Sequence, residues 1–325
     1  MATILVCCIM LLRPPAETET NPEFVFSYAE NQPKDYPTTL GAMHFAKLVE
    51  ERTNGAIRIL VHAEASMGTE AEVIEQLQYG GIDFARVSLS QLSDYIPQMN
   101  VLQMPYLYRD SLHMWSVLDG KIGTDLIAVV EDYDLVGLSW YDAGARSFYN
   151  SVKPITCLED MEGMRIRVQE SELMADMVKA LGASAWKIAY GDVYSNLERG
   201  AVDGAENNWP SYVSMMHNEV AGYWTNDEHT RVPEMQLCSR HTWEKLSDEQ
   251  QQIILECAKE SALYERELWI EREEASREEA VREGVQVIEL SAEEKQRFQE
   301  AMMGVYEKYC GEYMDLIDQI IAEGR

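Results

Sequence analysis

The sequence predicts a two-lobed α/β protein. Three observations carry this: strand and helix patterns alternate in both halves of the chain, 325 residues are too many for one minimal core, and the final third turns helical and charged. Apolar residues make up 46% and charged residues 26%, the balance of an ordinary globular chain.

In the first half, Phe24 to Tyr28 reads as a strand. Pro37 and Thr38-Thr39 open a helix over Leu40 to Arg52, with Met43, Ala46, Leu48 and Val49 at helical spacing. Asn54-Gly55 is a turn, and Ile57 to Val61 alternates as a second strand. A helix over Glu70 to Tyr79 stops at Gly80-Gly81, and Ile82 to Val87 is a third strand. This order is that of a parallel, helix-covered sheet.

The second half repeats the alternation without repeating the sequence. Asp134 to Ser139, Arg146 to Asn150 and Arg165 to Val168 read as strands. Helices follow over Glu172 to Leu181 and Val193 to Arg199, and Asp203 to Tyr212 suits a loop at a strand end. Ser247 to Gln250 is a capping box opening a helix with Ile253, Ile254 and Ala258 on one face. The charge run from Ser261 to Gly284 is expected to be a solvated helix face, its apolar positions too sparse for heptads.

A net charge of −29 argues against nucleic acid as a partner, since phosphate binding needs clustered Lys and Arg. Six cysteines form no C-x-x-C pair or Cys/His cluster, so no metal centre, cofactor or disulfide scaffold is implied. Cys7 and Cys8 fall in the leader. Cys157, Cys238, Cys257 and Cys310 are expected to be reduced and structural. The apolar stretch Ala2 to Leu12, eleven residues long, is too short to span a bilayer and resembles the core of a secretory signal, without a basic n-region. Leu5-Val-Cys7 is a poor lipidation box.

No G-x-S-x-G, P-loop, H-E-x-x-H or G-x-G-x-x-G occurs, which argues against an enzyme. Arg146 and Arg167 stand in apolar strand patterns instead. A guanidinium there either pairs with one of the many carboxylates or waits for an anion, which its planar fork holds bidentately. Asn207, in the run Asp203 to Tyr212, offers the donor and acceptor that sugar hydroxyls need. Trp209 suits either a sugar face or an interior contact.

Gly163 to Val168, Tyr190 to Tyr194, Gly200 to Gly204 and Glu206-Asn207, in this order and spacing, resemble the substrate-binding subunits of tripartite ATP-independent periplasmic (TRAP) transporters, the DctP-like family. The resemblance runs from about Phe24 to the C-terminal helices. Asp142 to Asn150 and Gly204 to Tyr212 are similar to the branch that binds hexuronates such as glucuronate and galacturonate. It implies a periplasmic-binding-protein-like fold of two lobes with a hinge and a long helix crossing both. The expected division is a leader and linker over 1–21, a first lobe of 22–144 plus 233–272, and a second of 145–232 plus 273–325.

The resemblance assigns Arg167 to the ligand carboxylate, Arg146 to further contacts on the same anion, Asn207 to its orientation and Tyr190 to the pocket wall. Glu70, Ser88 and Arg86 fall where the first lobe would make polar sugar contacts, and Trp209 joins the ligand-binding set. The chain departs from the branch at Trp186 to Ala189, where a proline-containing run is expected, at Gln32 in place of histidine, and at Ala71 in place of a basic residue. The expected protein is a monomeric, extracytoplasmic carrier, periplasmic or tethered on the outer face if lipidated. Its partners are a sugar-acid ligand and the membrane permease subunits of a TRAP transporter. The alternatives are another ligand for the same fold (a C4-dicarboxylate, sialic acid or another sugar acid), a ligand-sensing domain, or an enzyme on a similar scaffold.

Overall fold

Among the described residues, eleven strands form two sheets, and the chain crosses between them three times. A computed structural model describes residues 21–324, so the expected leader lies, but for Asn21, outside the described residues. The strands are β1 (Phe24–Ala29), β2 (Ile57–His62), β3 (Phe84–Ser88), β4 (Leu135–Tyr141), β5 (Ala145–Asn150), β6 (Arg165–Val168), β7 (Ser184–Lys187), β8 (Gly204–Asn207), β9 (Tyr223–Arg231), β10 (Glu234–Ser239) and β11 (Gln286–Ile288). The first sheet has the order β2-β1-β3-β10-β4 and the second β11-β9-β5-β8-β6-β7.

Local signals set the first lobe. Glu70–Tyr79 is helical between the bounds its sequence marks, because Thr69 and Glu72 close a capping box and Gly80 takes the left-handed conformation at φ 74°. The first helix starts earlier than expected, at Pro37, where the fixed φ of proline suits a first helical position. Edge strand β2 alternates buried and exposed positions, whereas β3 and β10 are buried along their whole length.

The sheets are mixed, which corrects the expectation of a parallel sheet. β1 runs parallel to β2 and β3, but β10 lies antiparallel between β3 and β4. In the second sheet β6 is parallel to β7 and β8, while β5 is antiparallel to β8 and β9. The cause is the route of the chain. β4 leads into β5 of the other sheet through Asp142 to Gly144, and β9 returns through Val232-Pro233 to insert β10.

The third crossing is a single helix, Asp248–Arg282, 35 residues and so about 52 Å long. Ile254, Cys257 and Ala258 pack into the first-lobe core with Phe26, Tyr28, Phe45 and Phe84. Its far end places Ala280 in the second-lobe cluster of Tyr149, Tyr212, Trp224 and Val285. The charge run is therefore not a uniformly solvated face: Glu265 and Trp269 are buried where the helix passes the lobe junction. Beneath that junction, Trp269 meets Tyr36 edge-on with ring centroids 5.8 Å apart.

The last helix, Met314–Ala322, was expected with the second lobe and packs on the first instead. Its Ile317 and Ile320 are buried in the cluster that holds Leu118 and Leu126. Ile320 O accepts from His113 Nε2 at 2.8 Å, and Ile321 O from Arg109 Nη1 at 3.3 Å. The described cysteines are free, with Cys238, Cys257 and Cys310 buried and Cys157 half-buried. Among the described residues no helix is long and apolar enough to cross a membrane.

Candidate functional site

The lobes meet at the C-terminal ends of parallel strands β1, β3, β6 and β8, the position at which open α/β sheets leave a crevice. Between them is a cleft of about 420 Å³, counted to its open edge. Arg167, Arg146, Asn207 and Tyr190 line it from the second lobe, and Glu70, Ser88 and Arg86 from the first. Seven residues singled out in the sequence thus converge on one space.

The three arginines stand in different chemical states. Arg167, central in β6, is 1% exposed. Its Nε donates to Ile188 O at 2.9 Å, while Nη1 and Nη2 have no hydrogen-bond partner among the described residues. Burial pulls its affinity for the proton below the usual arginine value. A buried guanidinium without hydrogen-bond partners is costly, and an anion placed against its two prongs would offset that cost.

Arg146 on β5 is held by Glu206. Nε donates to Glu206 Oε2, and Nη2 donates to Glu206 Oε1 and O, both at 2.9 Å. Nη1 donates to Asn207 Oδ1 at 3.0 Å, so one of the five N–H groups, on Nη1, remains. The internal salt bridge is therefore real for Arg146, and it aims the guanidinium rather than consuming it. Behind it, His229 Nδ1 lies 2.9 Å from Asp227 Oδ2, and its Nε2 is 3.7 Å from Glu206 Oε2. Burial would raise the Glu206 carboxyl, but Arg146 and His229 outweigh it and hold the group down at about 2.

Arg86 on β3 is saturated. Nε donates to Glu30 Oε2 at 3.1 Å, Nη1 to Glu70 Oε1 at 2.8 Å and Glu234 Oε2 at 2.7 Å, and Nη2 to Glu30 Oε1 and Asn31 Oδ1. Glu70, the first residue of its helix, also accepts from Ser88 N at 3.0 Å. Tyr190 sits in a short turn with its hydroxyl buried, and burial pushes it up to about 12, which keeps it a neutral donor.

Trp209 is elsewhere. It stacks on Trp224 at 3.7 Å in the second-lobe core and does not line the cleft. Pro210 and the Asn208 cap start a helix at Trp209 that turns the indole away from the cleft. The aromatic wall is supplied by Tyr36 and Trp269. Sequence reasoning missed both, along with Glu30, Glu206, Glu234 and Gln169. A tryptophan in an otherwise charged helix was the available signal for Trp269. Glu206 lay beside Asn207 in a recognised segment, but nothing local marks it as the partner of Arg146.

Residues 28–312 match the model of the bacterial extracellular solute-binding protein family 7, DctP. The chain belongs to that family. It is thereby a TRAP-type solute-binding protein with the two-lobed fold of that group. A solute-binding protein of Chromohalobacter salexigens is 36% identical over 284 residues, 87% of this chain and 84% of that one. Among solved structures, a TRAP periplasmic solute-binding protein of Bradyrhizobium sp. BTAi1 in complex with α/β-D-galacturonate is 39% identical with a TM-score of 0.89, covering 92% of this chain and all of that one. Its counterpart from Pseudomonas putida F1, with bound D-glucuronate, is 38% identical with a TM-score of 0.90, over 93% and 98%.

Proposed function

We propose that this DctP-family protein captures a hexuronate, glucuronate or galacturonate, outside the cytoplasm and delivers it to the membrane permease subunits of a TRAP transporter. The observation that carries the ligand assignment is Arg167, whose two terminal nitrogens are buried in the cleft without a partner among the described residues. A carboxylate there accepts from both prongs and satisfies the charge. Arg146 supplies its remaining Nη1 N–H to the same anion, and Tyr190 and Asn207 orient it. Asn207 Oδ1 is already taken by Arg146 and Asn208 N, so its Nδ2 is the group that it offers. The hexuronate complexes of similar structures support the sugar.

The cycle has no covalent step. An open form exposes Arg167, the anion enters, and closure lets the first lobe complete its hydrogen bonds. Removing one side of a desolvated, hydrogen-bonded charge pair costs ~2–5 kcal/mol, against about 8 kcal/mol for a micromolar complex. Calorimetric titration of Arg167→Ala with galacturonate and glucuronate is expected to show no measurable binding. Near wild-type affinity in that variant would sink the carboxylate assignment.

A further inference from the structure

The two walls of the cleft carry opposite charge. On the second lobe, Arg167 and Arg146 face a single carboxylate, Glu206, leaving positive charge and unfilled N–H donors. On the first lobe the balance is reversed. One guanidinium, Arg86, is set among three buried carboxylates, Glu30, Glu70 and Glu234.

All five N–H groups of Arg86 are taken by those carboxylates and Asn31, so it has no donor left for an incoming anion. What this wall presents is acceptors. Glu70 and Glu234 line the cleft, as does Gln91, whose buried Oε1 has no partner among the described residues. Burial pushes Glu234 up to about 7. Burial raises Glu70 as well, yet three carboxyl groups face one guanidinium there. Hydroxyl groups, which donate, suit such a wall. A second carboxylate would enter a desolvated site against like charge, where repulsion is strong.

We propose that Glu70 and Glu234, organised by Arg86 and backed by Glu30, determine specificity: they read ligand hydroxyls and refuse a second carboxylate. The protein then takes monocarboxylate sugar acids and rejects the corresponding aldaric acids and short dicarboxylates. This rests on the assignment of the hexuronate carboxylate to Arg167.

Calorimetric titration with galacturonate, galactarate (the same six-carbon chain with a carboxylate at both ends), gluconate and succinate tests it. Wild-type protein is expected to prefer galacturonate over galactarate on the order of 100-fold or more. Glu234→Gln and Glu70→Gln, each confirmed as folded by its melting transition, are expected to narrow that ratio at least about tenfold through a gain in galactarate affinity. Comparable wild-type affinities for galacturonate and galactarate overturn the exclusion and leave the hexuronate assignment standing, as does an unchanged ratio in both folded variants. If no hexuronate binds, the hexuronate assignment fails by itself. Gluconate bound with both dicarboxylates refused then upholds the exclusion, and any other outcome of the panel overturns it.

Discussion

Gln169 Nε2 donates to Ser88 Oγ at 3.0 Å, and this bond joins the end of β6 in the second lobe to the end of β3 in the first. Tyr36 makes a second tie, its hydroxyl lying 2.9 Å from Ser211 Oγ and 3.3 Å from Asn208 Oδ1. The lobes thus stand closed on one another, and these two ties are neutral hydrogen bonds that water could replace on opening. A neutral bond of this kind contributes about 0.5–1.5 kcal/mol net. Gln169→Ala and Ser88→Ala are each expected to weaken hexuronate binding ~3–10-fold. In a double-mutant cycle the two losses should be non-additive, with a coupling of about 0.5–1 kcal/mol. Additive losses would mean that each side chain acts on the ligand separately and that the cross-lobe bond does not favour closure.

Arg167 sets stability against function. Its guanidinium is buried and, among the described residues, only Nε has a hydrogen-bond partner, so the charge lacks a direct counter-ion there. Replacing a buried charge by an apolar side chain of similar volume is often neutral or stabilising, by about 1–4 kcal/mol for whole ion pairs. Arg167→Met is therefore expected to melt at or above the wild-type temperature without ligand and to lose the thermal shift that galacturonate gives the wild type. A fall of several degrees in the ligand-free melt would show that Arg167 is compensated in the resting protein after all.

Trp209 tests the opposite case, a residue of the binding-loop sequence that serves the core. It is 6% exposed and stacked on Trp224, with Tyr212 edge-on at 6.0 Å. Trp209→Ala is expected to cost about 3–5 kcal/mol in denaturant melts, and Trp209→Phe less. Hexuronate affinity of the folded Trp209→Phe protein should stay within about threefold of wild type. Should binding drop tenfold or more with an undiminished melting temperature, the indole would have to act on the ligand.

What the sequence made legible were features whose cause is local. The capping box at Thr69 and Glu72, Gly80, and the alternation of Ile57 to His62 fix their elements within a few residues. β9 left no such trace. Its Thr225, Asp227, His229 and Thr230 are polar yet buried, because Ile155, Phe148 and Gln103 from distant segments pair with Thr225, Asp227 and Thr230, and Asp227 in turn pairs with His229. β8 reads as loop for the same reason: Glu206 and Asn207 are tolerable inside only when Arg146 lies beside them. The site was legible as residue types, and less so as states. Both Arg146 and Arg167 sit in apolar strands, and only the register that sets Phe148 opposite Glu206 decides which is paired and which is left with free prongs. Glu265 illustrates the limit from the other side, since Trp269 alone in that charge run hints at burial and nothing marks the glutamate one turn earlier as buried with it.

His229 makes stability depend on pH, with a sign that its surroundings determine. It stacks on Phe148 at 4.3 Å and lies between Asp227, which also meets the Tyr106 hydroxyl at 3.5 Å, and Glu206, which Arg146 holds. Burial would lower its pKa, but Asp227 and Glu206 outweigh burial and lift it to about 9. A histidine raised in the folded state stabilises fully below its unfolded value of about 6.5, and that contribution is lost as pH rises through about 9. The amount is on the order of 3 kcal/mol over that window. Denaturant melts of wild type and His229→Gln at pH 6, 7.5 and 9.5 isolate it, because the other titrating groups, Glu234 and Glu273 among them, are common to both proteins. The stability gap between the two should shrink as pH rises. A gap that is constant across the three pH values would show that His229 is neutral in the folded protein and that Glu206 is held down by Arg146 alone.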